Sequence, residues 1–273
     1  MESPSPQQNL KSALQAAQVW WADMGIEVPP LPVARPKKRA APQQGTQKSL
    51  APKQAAQKPV LAKPPEPERA GLKEQIAKAT ALAQAAPTLD ALKTAIENFD
   101  AGLLSDHAHK MVFARGNPHA DIMVIGEAPG KQEDISGEPF VGAAGQLLDK
   151  MFAAINMDAQ NLYITNVCNW RPPHDRDPSE DELALCKPFI TRHIQLCAPK
   201  LIVLVGGISL ATLAGKTSIM KNRGQWQELD IADTTIPAMP LYHPSFLLRK
   251  PELKKFAWRD LLAIKARIQH QNF

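Results

Sequence analysis

DIMVIGEAPGKQEDISGEPFVGAAGQLLDKM, residues 121–151, decides the fold. It opens on DIMVI, a short apolar run of the kind a strand shows when both of its faces are covered. The chain leaves that run through Gly126, Glu127, Pro129 and Gly130, passes more acidic and glycine residues, and starts a helical pattern only near residue 143. Three further runs repeat the theme: NLYITNV (161–167), KLIVLVG (200–206) and IPAMPLY (236–242). Helical patterns fall between and after them, at about 143–155, 179–197, 208–215 and 252–269. Strand and helix in alternation imply parallel strands, because each crossover is right-handed and covers a face of the sheet. The expected fold class is α/β, a three-layer αβα sandwich with a central four-stranded parallel sheet and a helical N-terminal extension.

In such sheets ligands gather at the carboxyl ends of the strands. Glu127 lies just past the first strand, Asn166 at the end of the second and His243 just past the fourth. A carboxylate, an amide and an imidazole are therefore expected at one edge. GEAPG lacks the GxGxxG spacing of a dinucleotide site, and its helix starts late, so a pocket for a mononucleotide or a base suits it better. Gly126 and Gly130 permit close backbone approach there.

Upstream, residues 71–99 read as a helical lead-in broken at Pro87 and restarted by Thr88 as N-cap, with Leu89, Leu92 and Ile96 as its apolar stripe. Residues 7–25 read as one more helix, with Leu10, Leu14, Val19 and Trp20 loosely on one face. That helix needs something to pack on, either its own domain or a partner protein. Between the two, residues 28–68 hold ten Pro, eight Lys or Arg and two acidic residues, without an aromatic. Such a composition buries too little apolar surface to order itself. The expected domains are thus 1–27 (N-terminal helix), 28–69 (Pro/Ala/Lys-rich linker) and 70–273 (main domain, with a lead-in over 70–112).

Removing that stretch changes the meaning of the net charge of +5. Of 32 basic and 27 acidic residues, 24 and 25 remain, so the folded part is nearly neutral. A basic tether attracts a polyanion in a salt-dependent, sequence-blind way, and equally serves as a solvated tail. Cys168, Cys186 and Cys197 show no CxxC spacing, and the N-terminus lacks the pattern of a secretion signal. The longest apolar stretch, LIVLVGGISLATLAG, is broken by glycines and falls short of the ~20 residues of a membrane span. A monomeric cytoplasmic protein with no membrane contact is expected.

Other segments admit two readings each. Phe140 could line a pocket or fill the core. Asn166, ending an apolar strand, is either a structural bracket or the reader of a ligand edge. Arg171 and Arg176, in RPPHDR, could hold phosphate or solvate a loop. In YHPSFLLRK, His243 is fixed by Pro244, and the apolar residues beside Arg249 and Lys250 suit a wedge into a duplex or, equally, a helix whose leucines are core.

GEAPGKQED, GEPFVGAAGQLL, TNVCNWRPPHDRDP and YHPSFLLR, in this order and spacing, resemble the family 4 uracil-DNA glycosylases over about Phe113–Ile268. The resemblance implies an enzyme whose partner is uracil-containing DNA, which flips deoxyuridine out of the helix and hydrolyses its N-glycosidic bond without a lyase step. It implies Glu127 and His243 as catalytic residues, and Gly126, Glu133, Phe140 and Asn166 around the uracil. Arg171, Arg176, Ser245, Leu247 and Arg249 are implied at the DNA. The alternative is a catalytically weak DNA-binding or damage-sensing module of the same fold. Family 4 also implies a [4Fe–4S] cluster on four cysteines. Only Cys186 falls at a matching place, Trp170 stands where a cysteine precedes RPP, Cys168 is two residues off, and the region after Phe99 has none. No cluster and no other cofactor is expected, with apolar packing by Trp170 and its neighbours in its place.

Overall fold

The computed structural model of the chain describes residues 66–271, so the expected N-terminal helix and all but the end of the linker lie outside the described residues. Helix α1 (Glu66–Ala85) begins inside the stretch read as linker. Pro67 does not prevent this, because the N–H groups of a helix's first turn have no intrahelical acceptor. At Thr88 the side chain accepts from the Ala91 N–H at 3.2 Å, and α2 (Leu89–Glu97) starts there with Leu92 and Ile96 buried. A short α3 (Leu103–His107) leads to the sheet.

The sheet has six strands, β1 (Ala114–Gly116), β2 (Ile122–Gly126), β3 (Leu162–Asn166), β4 (Leu201–Val205), β5 (Gln227–Ile231) and β6 (Thr234–Leu241), in the order β1-β3-β2-β4-β6-β5. The inner four pair in parallel and are the four runs read from the sequence. The edges β1 and β5 are antiparallel additions, which corrects the expected count. Neither announces itself: β1 is three residues, Ala-Arg-Gly, and β5 alternates exposed and covered positions with charged residues.

Successive residues on a strand face opposite sides. Ile122 and Val124 join Leu147, Leu148, Met151 and Phe152 of α5 (Ala143–Ala153) and Trp258, Leu261 and Ile264 of α10 (Lys254–Gln271) in one apolar cluster. Met123 and Ile125 join Leu185, Phe189, Ile190 and Ile194 of α6 (Glu180–Cys197), with Leu92 and Ile96 behind them, in another. Two cores on two faces make the three layers. Ser179 and Glu182 start α6 with a reciprocal cap, at 3.2 and 2.7 Å. Arg192 of α6 donates twice to the Ala86 carbonyl, at 3.0 and 2.8 Å, and fixes the lead-in onto the domain.

The remaining helices are short: α4 (Lys131–Ser136), α7 (Gly207–Ala214), α8 (Ile219–Asn222) and α9 (Pro244–Arg249). The loops that enter α4, α7 and α9 meet at the carboxyl edge of the parallel strands. No helix among the described residues is long and apolar enough to cross a membrane.

Candidate active site

A cavity of about 350 Å³ opens at that edge, lined among others by Glu127, Glu133, Phe140, Asn166 and His243. Gly126 and Asn166 are register partners at the ends of β2 and β3. A Cβ on Gly126 would overlap both the Asn166 amide oxygen and the Phe140 ring, so glycine is what lets these two side chains converge. Asn166 is 3% exposed, yet its side-chain amide makes no hydrogen bond with any described residue. Buried amides are nearly always paired, and one left open into a cavity has its partners supplied from outside.

Glu127 leaves β2 and reaches the start of α7, where it accepts from the Ile208 N–H at 3.0 Å. Burial pushes its carboxyl above the usual range, and the Ile208 and Gly207 amides pull it back. Asp177 adds an upward push and Arg249 a downward one. A helix N-terminus favours an anion, which keeps a carboxylate tenable in a half-dry place. Gly206 closes this contact, since a Cβ there would overlap the Glu127 carboxylate.

His243 caps α9. Its Nδ1 accepts from the Ser245 N–H at 3.2 Å and lies 2.7 Å from the Ser245 hydroxyl. Burial, helped by Arg249, lowers its pKa to about 4, so the ring is neutral at pH 7. A neutral imidazole has one N–H, and with Nδ1 accepting a backbone donor that proton sits on Nε2. The Phe140 ring lies 5.7 Å from the imidazole, tilted by 31°.

Several residues read from the sequence sit otherwise than expected. Leu247 is 0% exposed and belongs to the α5/α10 core, whereas Leu248 is 44% exposed. On a six-residue helix packed against α5 the inward leucine is fixed in the core, which leaves Leu248 as the outward one. Arg176 forms a two-pronged pair with Glu182 at 2.7 and 2.6 Å, and Arg171 pairs with Asp175 at 2.7 Å and Asp134 at 3.7 Å. Both guanidiniums are thus engaged by carboxylates, and Arg176 also lines the cavity. Glu133 lines the cavity but turns its oxygens to backbone, accepting from Gly130, Val141 and Gly142 at 3.2, 3.0 and 2.8 Å. Arg249 is exposed and has no ion pair among the described residues.

Lys131, Ala144, Asp177 and Ile208 also line the cavity and were not singled out from the sequence. Lys131 stands inside GEAPGKQED and was within reach of motif reading; Ile208 arrives from α7, which no local pattern ties to the pocket.

The chain is 41% identical over 156 residues to the type-4 uracil-DNA glycosylase of Sulfurisphaera tokodaii, covering 55% of this chain and 71% of that protein. It is 37% identical over 145 residues to that of Archaeoglobus fulgidus (51% and 73%) and 34% identical over 165 residues to that of Thermotoga maritima (59% and 84%). Residues 113–262 match the family described as the uracil DNA glycosylase superfamily. The chain belongs to the family 4 uracil-DNA glycosylases.

For a family 4 glycosylase, the place of the iron–sulfur cluster is the next question. Positions 170 and 186 fall in one closed apolar cluster. Phe99 sets its ring 5.1 Å from Phe189, edge to face, and 6.5 Å from Trp170. Cys168 and Cys186 are both buried in this cluster; Cys168 Sγ lies 3.2 Å from the Trp170 carbonyl, and its contact with Cys186 and burial push the Cys186 thiol up. A cluster needs four thiolates, and two thiols closed in among three rings do not fit it. Among the described residues no group of three or more His, Cys, Asp or Glu is placed to hold a metal ion.

Proposed function

We propose that this uracil-DNA glycosylase takes a deoxyuridine out of the DNA stack into the 350 Å³ cavity and cleaves its N-glycosidic bond with water, leaving an abasic site. The observation that carries this reading is Asn166, an almost fully covered amide with nothing to bond. Its oxygen accepts from uracil N3–H and its NH₂ donates to O4. Cytosine presents the reverse pattern at these positions and leaves both groups opposed, which is how a polar site rejects the wrong ligand. Phe140 supplies the face on which the base stacks.

As the bond breaks, negative charge grows on the uracil and positive charge on the sugar. His243 presents Nε2–H to O2, where a preorganised donor stabilises the departing anion. Its neutrality at pH 7 is consistent with that role, since it acts by donating a hydrogen bond rather than a proton. Glu127, held at the start of α7, aims the attacking water and favours the cationic sugar. Ser245 keeps the imidazole in its tautomer. At the duplex, Leu248 takes the wedge position in place of Leu247, with Arg249 against phosphate. The basic stretch 28–69 adds a general attraction to DNA.

Uracil release from single- and double-stranded oligonucleotides tests the reading. The native chain is expected to release uracil, and Glu127→Ala and Asn166→Ala to lose about 10²–10³ in rate. No release from any strand by the native chain sinks it. Lys131, on the cavity rim, allows a check on the nucleophile: borohydride added during turnover traps no protein–DNA adduct if water attacks.

A further inference from the structure

Phe140 holds a backbone conformation that phenylalanine resists, with φ of 56°. A left-handed residue with a side chain is disfavoured, and such a state persists only where its surroundings impose it. One side of the turn is fixed by Glu133, which accepts from the Val141 and Gly142 N–H groups. The other side is fixed by a residue outside the motif. Arg115, on edge strand β1, donates from Nε to the Pro139 carbonyl at 2.9 Å and from a terminal nitrogen to the Phe140 carbonyl at 3.3 Å. That terminal nitrogen also meets Asp149 of α5 at 2.6 Å. A Cβ on Gly145 would overlap the Phe140 backbone, so the turn is pressed onto the first turn of α5 with no room to swing back.

We infer that Arg115 is a positioning residue for the base-stacking ring. Glu133 holds the amides that follow Phe140 and Arg115 the carbonyls at and before it, and between them they set the height of the ring above Gly126. The planar fork of a guanidinium reaches two carbonyls and a carboxylate at once, which a lysine ammonium cannot do. Neither Arg115 nor Asp149 lines the base cavity, so the effect on the base runs through Phe140 alone. The inference rests on the proposal that uracil stacks on Phe140.

Inhibition of the full chain by free uracil reads the pocket without the DNA. Arg115→Met is expected to raise the inhibition constant about tenfold, a coupling of about 1.4 kcal/mol. Arg115→Lys should recover part of that loss, and Asp149→Asn should show a smaller one. All are assayed below their measured unfolding temperatures, so that loss of fold is not mistaken for loss of binding. In a Phe140→Ala background, Arg115→Met should add nothing further. If Phe140→Ala weakens uracil binding but Arg115→Met does not, or adds the same factor in both backgrounds, the positioning role is wrong and the stacking role stands. If Phe140→Ala leaves uracil inhibition unchanged, stacking itself is wrong and the inference falls with it.

Discussion

Asn166 and Asn169 lie three residues apart, each 3% exposed, and behave as opposites. Asn169 donates its side-chain amide to the Val112 carbonyl at 2.9 Å and accepts the Val112 N–H on its backbone carbonyl at 2.8 Å, stitching the lead-in to the loop after β3. The Asn166 side chain bonds to nothing described. The histidines divide likewise. His193 sits 3.0 Å from the Tyr163 hydroxyl and is stacked on Phe113 at 4.3 Å, whereas His243 keeps its Nε2–H for the cavity. Among the acids, Asp260 is taken up by Arg223, while Glu127 faces a cavity from a helix start. Residue type and burial alone do not separate function from support. What separates them is whether the protein completes the hydrogen bonding of each group itself.

That contrast breaks if the paired and unpaired twins respond alike. The largest expected difference is at the asparagines. Asn166→Ala should lower kcat/KM on uracil-containing DNA by about 10²–10³ with little change in unfolding temperature, because no bond to protein is lost. Asn169→Ala should instead lower stability by about 1–3 kcal/mol, through the orphaned Val112 carbonyl, and leave the rate per folded molecule unchanged. Calorimetry beside a uracil-release assay checks both.

The leucines of α9 sharpen the same division. Leu247→Ala opens a hole in the α5/α10 core and should cost about 2–5 kcal/mol. Leu248→Ala should leave stability within about 0.5 kcal/mol and lower activity on duplex more than on single strands, since only a duplex has to be held apart. Equal losses on both substrates would remove the wedge.

The last contrast is in the response to pH. His193 and His243 have pKa values lowered by burial to about 3 and about 4, so unfolding takes up protons on both as the pH falls below about 6.5. Their stabilising contribution is complete above that pH and is lost on descending through the folded values. Each histidine should add about 1.4 kcal/mol per pH unit to the slope of unfolding free energy in that window. His193→Gln should halve their joint slope without shifting the pH profile of catalysis; a shifted profile would mean that His193 reaches the chemistry.

Much of the fold and of the candidate site is legible in the sequence. The four parallel runs and the strand-end placement of Glu127, Asn166 and His243 follow from hydrophobic period and from where open sheets bind ligands. The edge strands are not, because β1 is three residues long and β5 is polar on one face. The facing of Leu247 and Leu248 depends on how a six-residue helix seats on its neighbours, which no period resolves. The arginines of RPPHDR and Arg115 carry the same charge in the sequence, and only the fold shows which carboxylates and carbonyls each has found.

On the proposed mechanism, the imidazole that donates toward the base is also the first bracket of α9, the helix bearing Leu248 and Arg249. Reading head and pry bar are thus machined from one part. On that mechanism a helix tilted by an ill-seated duplex would mis-aim the Nε2–H, so strand engagement and bond cleavage would share a single alignment, and an undamaged stretch passing beneath the protein would meet a catalyst still out of true.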